Sequence, residues 1–232
     1  MLATPVTPLE RRRRRHHETI QEVLDVAVEV MGEQGVAGLS LGEVARRMGI
    51  RPPSLYVYFA SKKAVYDAIF FRGASELNAT MGPLHARLEA STDLAAYALE
   101  HAEVFLRWSI EHPVYAQLLF WRTVPNYEPS PEAYVPAVRM LEQARRMLAN
   151  VRDRGLFSAS ADVDEVLRSW TMVITGVLTQ QLANAPHESF DQGAFTTQLP
   201  QMVTMLLTHY GPRTPTTTTR RATHGNASRP NS

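Results

Sequence analysis

The 232-residue chain has no cysteine, which excludes disulfides and thiolate metal sites. It has no apolar run of the roughly 18 residues that a membrane span requires, so no membrane partner is expected. No apolar stretch follows the arginines near the N-terminus, so a secretory signal is not expected either, and a cytoplasmic protein is. Sustained alternation of apolar and polar residues is missing, as is any internal repeat, which argues against sheets and solenoids. There is no Gly-rich phosphate loop, no Gly-x-Ser-x-Gly elbow and no His-Glu-x-x-His pair. The eight histidines are scattered, and the neighbours in Glu100-His101 and Glu111-His112 diverge on a helix. An enzyme is therefore not expected, nor a metal or other cofactor. Strong charge is lacking too: the net value is +1. It is unevenly spread, with 11 basic against 8 acidic residues in 1–72, 9 against 15 in 73–210, and 4 against 0 in 211–232. The acidic middle is unsuited to lie along phosphates, whereas the basic front is suited to it.

What is present is helical periodicity. The spacing predicts an all-α chain of about nine helices, with a three-helix domain in front of a larger helical bundle. Residues 1–16 hold Arg11 to Arg15, two prolines and fewer apolar residues than a core needs, and read as a disordered basic arm. A first helix is expected over Glu18–Glu33, with Ile20, Val23, Leu24, Ala27, Val30 and Met31 on one stripe. Ser40 caps a second, with Glu43 placed for a capping box, and Gly49 makes a turn. Pro52 and Pro53 open a third, expected over Pro52–Phe59, since proline lacks a donor that the first turn does not need. Ser61 caps a fourth helix running from Lys62 toward Thr80 and broken by Gly82-Pro83. Further helices are expected over 92–110, 113–120, 132–154, 163–184 and 193–210, with a proline-rich loop over 123–131 and a disordered tail over 211–232.

Two short helices across a glycine turn, residues 40–59, form the pattern of a helix-turn-helix whose second helix enters the major groove of DNA. Arg51, Ser54 and Val57 lie at the start and outer face of that helix and are the candidates for base edges: arginine to guanine, serine to several partners, valine to a thymine methyl. Ser40, at a helix N-terminus, is placed to hold a phosphate as well as to cap. Leu55 and Phe59, four apart, should pack inward.

Ser40-Leu41-Gly42-Glu43-Val44-Ala45-Arg46-Arg47-Met48-Gly49-Ile50, then Leu55-Tyr56-Val57-Tyr58-Phe59 and Ser61-Lys62, resemble the DNA-binding domain of the TetR family of bacterial regulators over residues 17–77. The resemblance implies phosphate contacts from Tyr56, Tyr58 and Lys62; for Tyr58 a partly buried role stands beside that one. Arg46 and Arg47 read as a solvated helix face. Arg11, Arg12, Arg13, Arg14 and Arg15 form either a solvated tail or an arm in an adjacent minor groove.

The same resemblance makes residues 78–210 a ligand-binding and dimerisation domain. His112 to Trp121 resembles a subgroup whose later helix carries Trp and then His-Gly; here that helix has Trp170 and Gly176, with Thr175 where histidine is usual. The resemblance implies that the last two helices pair between subunits, and Val166, Trp170, Val173, Val177, Phe195, Leu199, Met202 and Leu206 form the apolar faces suited to it. Tyr97, Phe105, Trp108, Phe120, Trp121 and Trp170 are the aromatic candidates to line a pocket for a small apolar or aromatic effector. The expected function is a homodimeric repressor on a palindromic double-stranded DNA operator, released by that effector. A helical interaction protein without DNA binding is the rival reading.

Overall fold

The computed structural model describes residues 7–212; the first six residues, and the expected tail from residue 213 onward, lie outside the described residues. Among the described residues there are nine α-helices and no strand: α1 (Pro8–Gln34), α2 (Leu41–Arg47), α3 (Pro52–Leu55), α4 (Lys62–Arg87), α5 (Leu94–Glu111), α6 (Pro113–Phe120), α7 (Pro131–Asp153), α8 (Val163–Asn184) and α9 (Leu199–Tyr210). Short 3-10 turns at Val36–Gly38 and Thr196–Gln198 precede α2 and α9.

α1 starts ten residues before its expected first turn, so Arg11 to Arg15 lie on a helix and not in a disordered arm. The cause is local. Thr7 Oγ1 accepts from Glu10 N at 3.2 Å while Glu10 Oε2 accepts from Thr7 N at 2.8 Å, a complete capping box with Pro8 in the first turn. Arginine is a good helix former, and Arg14 pairs with Glu18 one turn on at 3.3 Å. All five arginines are exposed. Farther along, Val23, Leu24, Ala27, Val30 and Met31 are buried, as their spacing requires.

α4 is the spine of the molecule. At about 1.5 Å per residue its length is roughly 39 Å, and it touches α1, α5, α6 and α7. It continues through Pro83, where a break was expected. Proline removes one intrahelical bond, but Met81 and Leu84 are buried on either side, and that packing holds the helix. The expected boundary at 77/78 thus falls inside one rigid element. Pro136 is likewise accommodated inside α7, and its carbonyl accepts from Asn78 Nδ2 of α4 at 2.8 Å.

α5, α7 and α8 begin at side-chain caps: Asp93, Ser130 and Asp162 accept from the first-turn N–H groups. α9 starts at Leu199 instead of Gly193. Pro200 supplies no N–H and so belongs to a first turn, while Gly193 sits in a crowded bend where an added Cβ would lie 2.4 Å from Thr196 Oγ1. Gln181 of α8 ties that bend down: its Oε1 accepts from Phe195 N at 3.1 Å and its Nε2 donates to Ala185 O at 2.8 Å.

Candidate nucleic-acid interface and ligand cavity

The N-terminal helices present a compact edge built around a short turn. Ser40 Oγ accepts from Glu43 N at 3.4 Å, so Ser40 caps α2. Glu43 does not reach back to complete the box. Its carboxylate instead accepts from Arg46 Nε at 2.8 Å and Arg47 Nε at 2.8 Å, and these charged bonds hold its pKa down at about 2. Arg47 also reaches Glu33 of α1 at 2.8 Å and is three-quarters covered, so it is a strut between α1 and α2 rather than a solvated face; Arg46 does lie in solvent. Gly49 takes φ +66°, the left-handed value a side chain resists, and this sharp turn sets α3 against α2.

α3 is shorter than expected. After Leu55 the chain tightens: Tyr58 N and Phe59 N both donate to Leu55 O at 2.9 Å. Leu55 and Phe59 are buried and anchor the segment. Arg51, Ser54, Tyr56 and Val57 are exposed, Tyr56 at 57% and Val57 at 73%. Large side chains held out by a buried anchor on each side form an edge that none of the described residues covers. Tyr58 is half-buried, its ring stacked on His16 of α1 at 5.0 Å. The helical extension of α1 therefore braces α3. Lys62, at the start of α4, rests near Ala37 O at 3.4 Å and over the Tyr66 ring at 5.6 Å.

In the body, a cavity of about 380 Å³ opens between α4, α5, α6, α7 and α8. Of the six aromatic residues expected to line it, Phe105, Phe120 and Trp170 do. The other three do not. Tyr97 is buried with its hydroxyl directed to Leu84 O at 3.3 Å, Trp108 stacks on His112 at 4.8 Å, and Trp121 donates to Thr179 Oγ1 at 3.1 Å. Unforeseen in the wall are Tyr134 of α7 and the pair His85 and His101. The one sequence sign of the pair was His101 sitting on the apolar stripe of α5; His85 belongs to another helix, so their meeting needed the fold. Among the described residues no cluster of three or more potential ligands could hold a metal ion.

Burial lowers the pKa of both histidines, and that of His101, 5% exposed, falls to about 3, with the charge of His85 adding to the effect. His101 faces His85 of α4 and Trp170 of α8, and no carboxylate or cation lines the cavity. The unfolded chain takes a proton at His101 near the ordinary value of 6.5, and the folded chain only near 3. Between those pH values the unfolded state binds more protons, so stability falls on acidification, by up to about 1.4 kcal/mol per pH unit for one linked proton. Urea midpoints between pH 7 and 4 should show this slope in the natural chain, and a visibly flatter one in His101→Leu.

Most of the eight expected dimer-face residues are turned inward. Val166, Trp170, Val177, Leu199 and Leu206 are buried in their own chain, and Val173, Phe195 and Met202 are half-buried. Their stripe packs α8 and α9 on each other and on α5. The outer face of the same two helices instead shows Met172 at 66% and Met205 at 58% exposure, with Gly176, Gln180, Gln201 and Thr204 around them.

Residues 23–69 match the model of the family described as bacterial regulatory proteins, tetR family. The chain is 32% identical over 97 residues to the uncharacterized HTH-type transcriptional regulator YobS of Bacillus subtilis, a match covering 42% of this chain and 49% of that one. It is 25% identical over 182 residues to the class C tetracycline repressor protein of Escherichia coli, covering 78% of this chain and 75% of the relative. The fold is similar to that of the transcriptional regulator FadR from Bacillus subtilis, solved in complex with stearoyl-CoA, with a TM-score of 0.62 at 14% identity over 81% of this chain and 97% of that one.

Proposed function

We propose, from the match of residues 23–69 to the tetR family of bacterial regulatory proteins, that the chain is a TetR-type homodimeric transcriptional repressor that releases a palindromic operator when a small apolar molecule fills the cavity behind α4. The observation that carries the DNA reading is the uncovered edge of Arg51, Ser54, Tyr56 and Val57, held out by buried Leu55 and Phe59. Arg51, Ser54 and Val57 are its base readers. Ser40, Tyr56, Tyr58 and Lys62 face phosphates, with Tyr58 adding its stack on His16. Arg11 to Arg15, exposed and helical, extend the basic surface of α1.

One such edge spans too few base pairs for useful specificity, so two are needed, related by a twofold axis and set about 34–36 Å apart or a multiple of that. The outer face of α8 and α9 around Met172, Gly176 and Met205 supplies the axis. Trp170 and Gly176 on α8 also support the Trp-His-Gly subgroup reading. The relatives named above are regulators rather than enzymes, and we read this chain in the same way. No helix of the described residues is long and apolar enough to cross a membrane, in keeping with a protein that works on DNA in the cytoplasm.

Release follows from linkage. α4 carries Lys62 at one end and His85 at the other, so a ligand that prefers one placement of α4 alters the spacing of the two α3 edges. Operator affinity then changes by its differential affinity for the two placements. Selection of bound sequences from random DNA tests the reading and should return a palindrome. On that sequence Arg51→Ala should relax preference at one base pair per half-site, a loss of roughly 1–3 kcal/mol. Tyr56→Ala should instead weaken all sequences by a similar factor. Recovery of no preferred sequence would leave a helical interaction protein in place of a repressor.

A further inference from the structure

The wall of the cavity is mainly apolar, and its two imidazoles lie side by side. His85 and His101 meet there with Nε2 atoms 3.3 Å apart and ring centroids at 5.4 Å. A hydrogen bond between two neutral imidazoles fixes their protons: one ring donates from Nε2 and keeps a bare Nδ1, and the other accepts at Nε2 and carries its proton on Nδ1. Both Nδ1 atoms have no partner and are covered by the protein, so a guest in the cavity reaches one of them when a ring turns toward it. The pair thus leaves one acceptor and one donor unused inside the molecule, which is costly unless something pairs with them. Of the hydroxyls in the wall, Thr171 donates to Leu167 O at 2.8 Å and Thr175 to Thr171 O at 2.7 Å, and Tyr134 is half exposed.

Resting on the effector reading above, we propose that the His85–His101 pair is the polar anchor of the cavity, and that the effector is a neutral, mainly apolar molecule with one hydroxyl or amide group rather than a carboxylate or phosphate. No Asp, Glu, Lys or Arg lines the cavity, so an anion would lose its hydration and find no countercharge. Burial keeps both rings neutral, so the pair supplies hydrogen bonds without charge. The volume, about 380 Å³, lies at the small end of the range of roughly 300–1,000 Å³ for small-molecule sites. Because His85 belongs to α4 and His101 to α5, a group bonded to the pair also ties the spine to the body. The anchor and the release device are then the same contact.

A matched series of probes tests this with the full chain carrying Trp108→Phe and Trp121→Phe at pH 7.5: naphthalene, 2-naphthol and 2-naphthoate, followed by the fluorescence of the remaining Trp170, whose indole lies 5.9 Å from the His101 ring. The expected order is 2-naphthol tighter than naphthalene by roughly three- to tenfold, with 2-naphthoate weakest. His85→Gln and His101→Leu should remove most of the 2-naphthol advantage while naphthalene still binds, which also reports that the variants are folded. In the natural chain, imidazole nitrogen resonances should shift with 2-naphthol and not with naphthalene. Naphthoate binding as tightly as naphthol, or a naphthol advantage that survives in both variants, would overturn the anchor. Naphthalene binding with no naphthol advantage would overturn it and leave the cavity as a purely apolar site. Failure of all three probes to bind a chain that still holds its operator would overturn the effector cavity itself, and the anchor with it.

Discussion

The double substitution Met172→Asp, Gly176→Arg is expected to turn the protein into a folded monomer and to lower operator affinity by at least about a hundredfold, because binding two half-sites as one linked unit multiplies affinity by roughly 10² to 10⁴. Both positions lie on the outer face of α8, Met172 at 66% exposure. A Cβ added at Gly176 meets nothing within 4 Å, so the larger side chains have room in the single subunit. The damage should therefore fall on association and leave the fold intact. Light scattering gives the mass, and circular dichroism should show undiminished helix. The contrast is Val166→Asp: Val166 is 1% exposed, so a charge there is buried without a partner and should unfold the chain instead of dissociating it. A double variant that stays dimeric would move the twofold axis elsewhere. A monomer with full operator affinity would remove the need for a dimer.

The second large effect is expected at Gly73, in the middle of α4. On an open helix, exchange of glycine for alanine stabilises by about 1 kcal/mol. Here an added Cβ would lie 2.5 Å from Tyr115 Cδ1 and 3.1 Å from Tyr115 Cβ. The second of these atoms is held close to the backbone of α6, so a ring rotation cannot clear it. Tyr115 is fixed from the other side too, since its hydroxyl accepts from Arg72 Nε at 2.7 Å, and Arg72 pairs with Asp25 of α1 at 2.7 Å. The approach of α6 to α4 and the tie from α4 to α1 thus meet at one glycine. Gly73→Ala should lower the unfolding free energy by about 1–3 kcal/mol, the usual cost of overpacking, and Gly73→Val by more. Gly32→Ala is the control: its Cβ would meet only Val114 Cγ2 at an ordinary 3.7 Å, so urea unfolding should show a small gain. A gain at both positions would mean that α6 yields easily and that the contact at Gly73 is not tight.

The parts of this protein written in its sequence are those set by near neighbours. Ser40 and Ser61 accept from the N–H three residues on, Gly49 takes the φ a side chain resists, and Pro52 opens α3; each acts within one turn of chain, so each was readable. Thr7 and Glu10 carried the same kind of signal, and it was obscured by the arginine run that follows. What the tertiary structure alone decided is which neighbour each apolar stripe meets. Pro83 and Pro136 look like breaks and are not, because burial of Met81 and Leu84 around Pro83 and of Ala133 near Pro136 outweighs one lost hydrogen bond. The stripes of α8 and α9 suit a partner subunit as well as their own core, and only packing turned Val166, Trp170 and Leu199 inward and left Met172 and Met205 outside. His85 and His101 sit on different helices with a turn between them, and no local rule predicts that they meet. Short-range geometry determines helices, caps and turns from the residues that compose them; the cavity, its polar pair and the outward face depend on contacts between segments far apart in the chain, which exist only once the helices have packed.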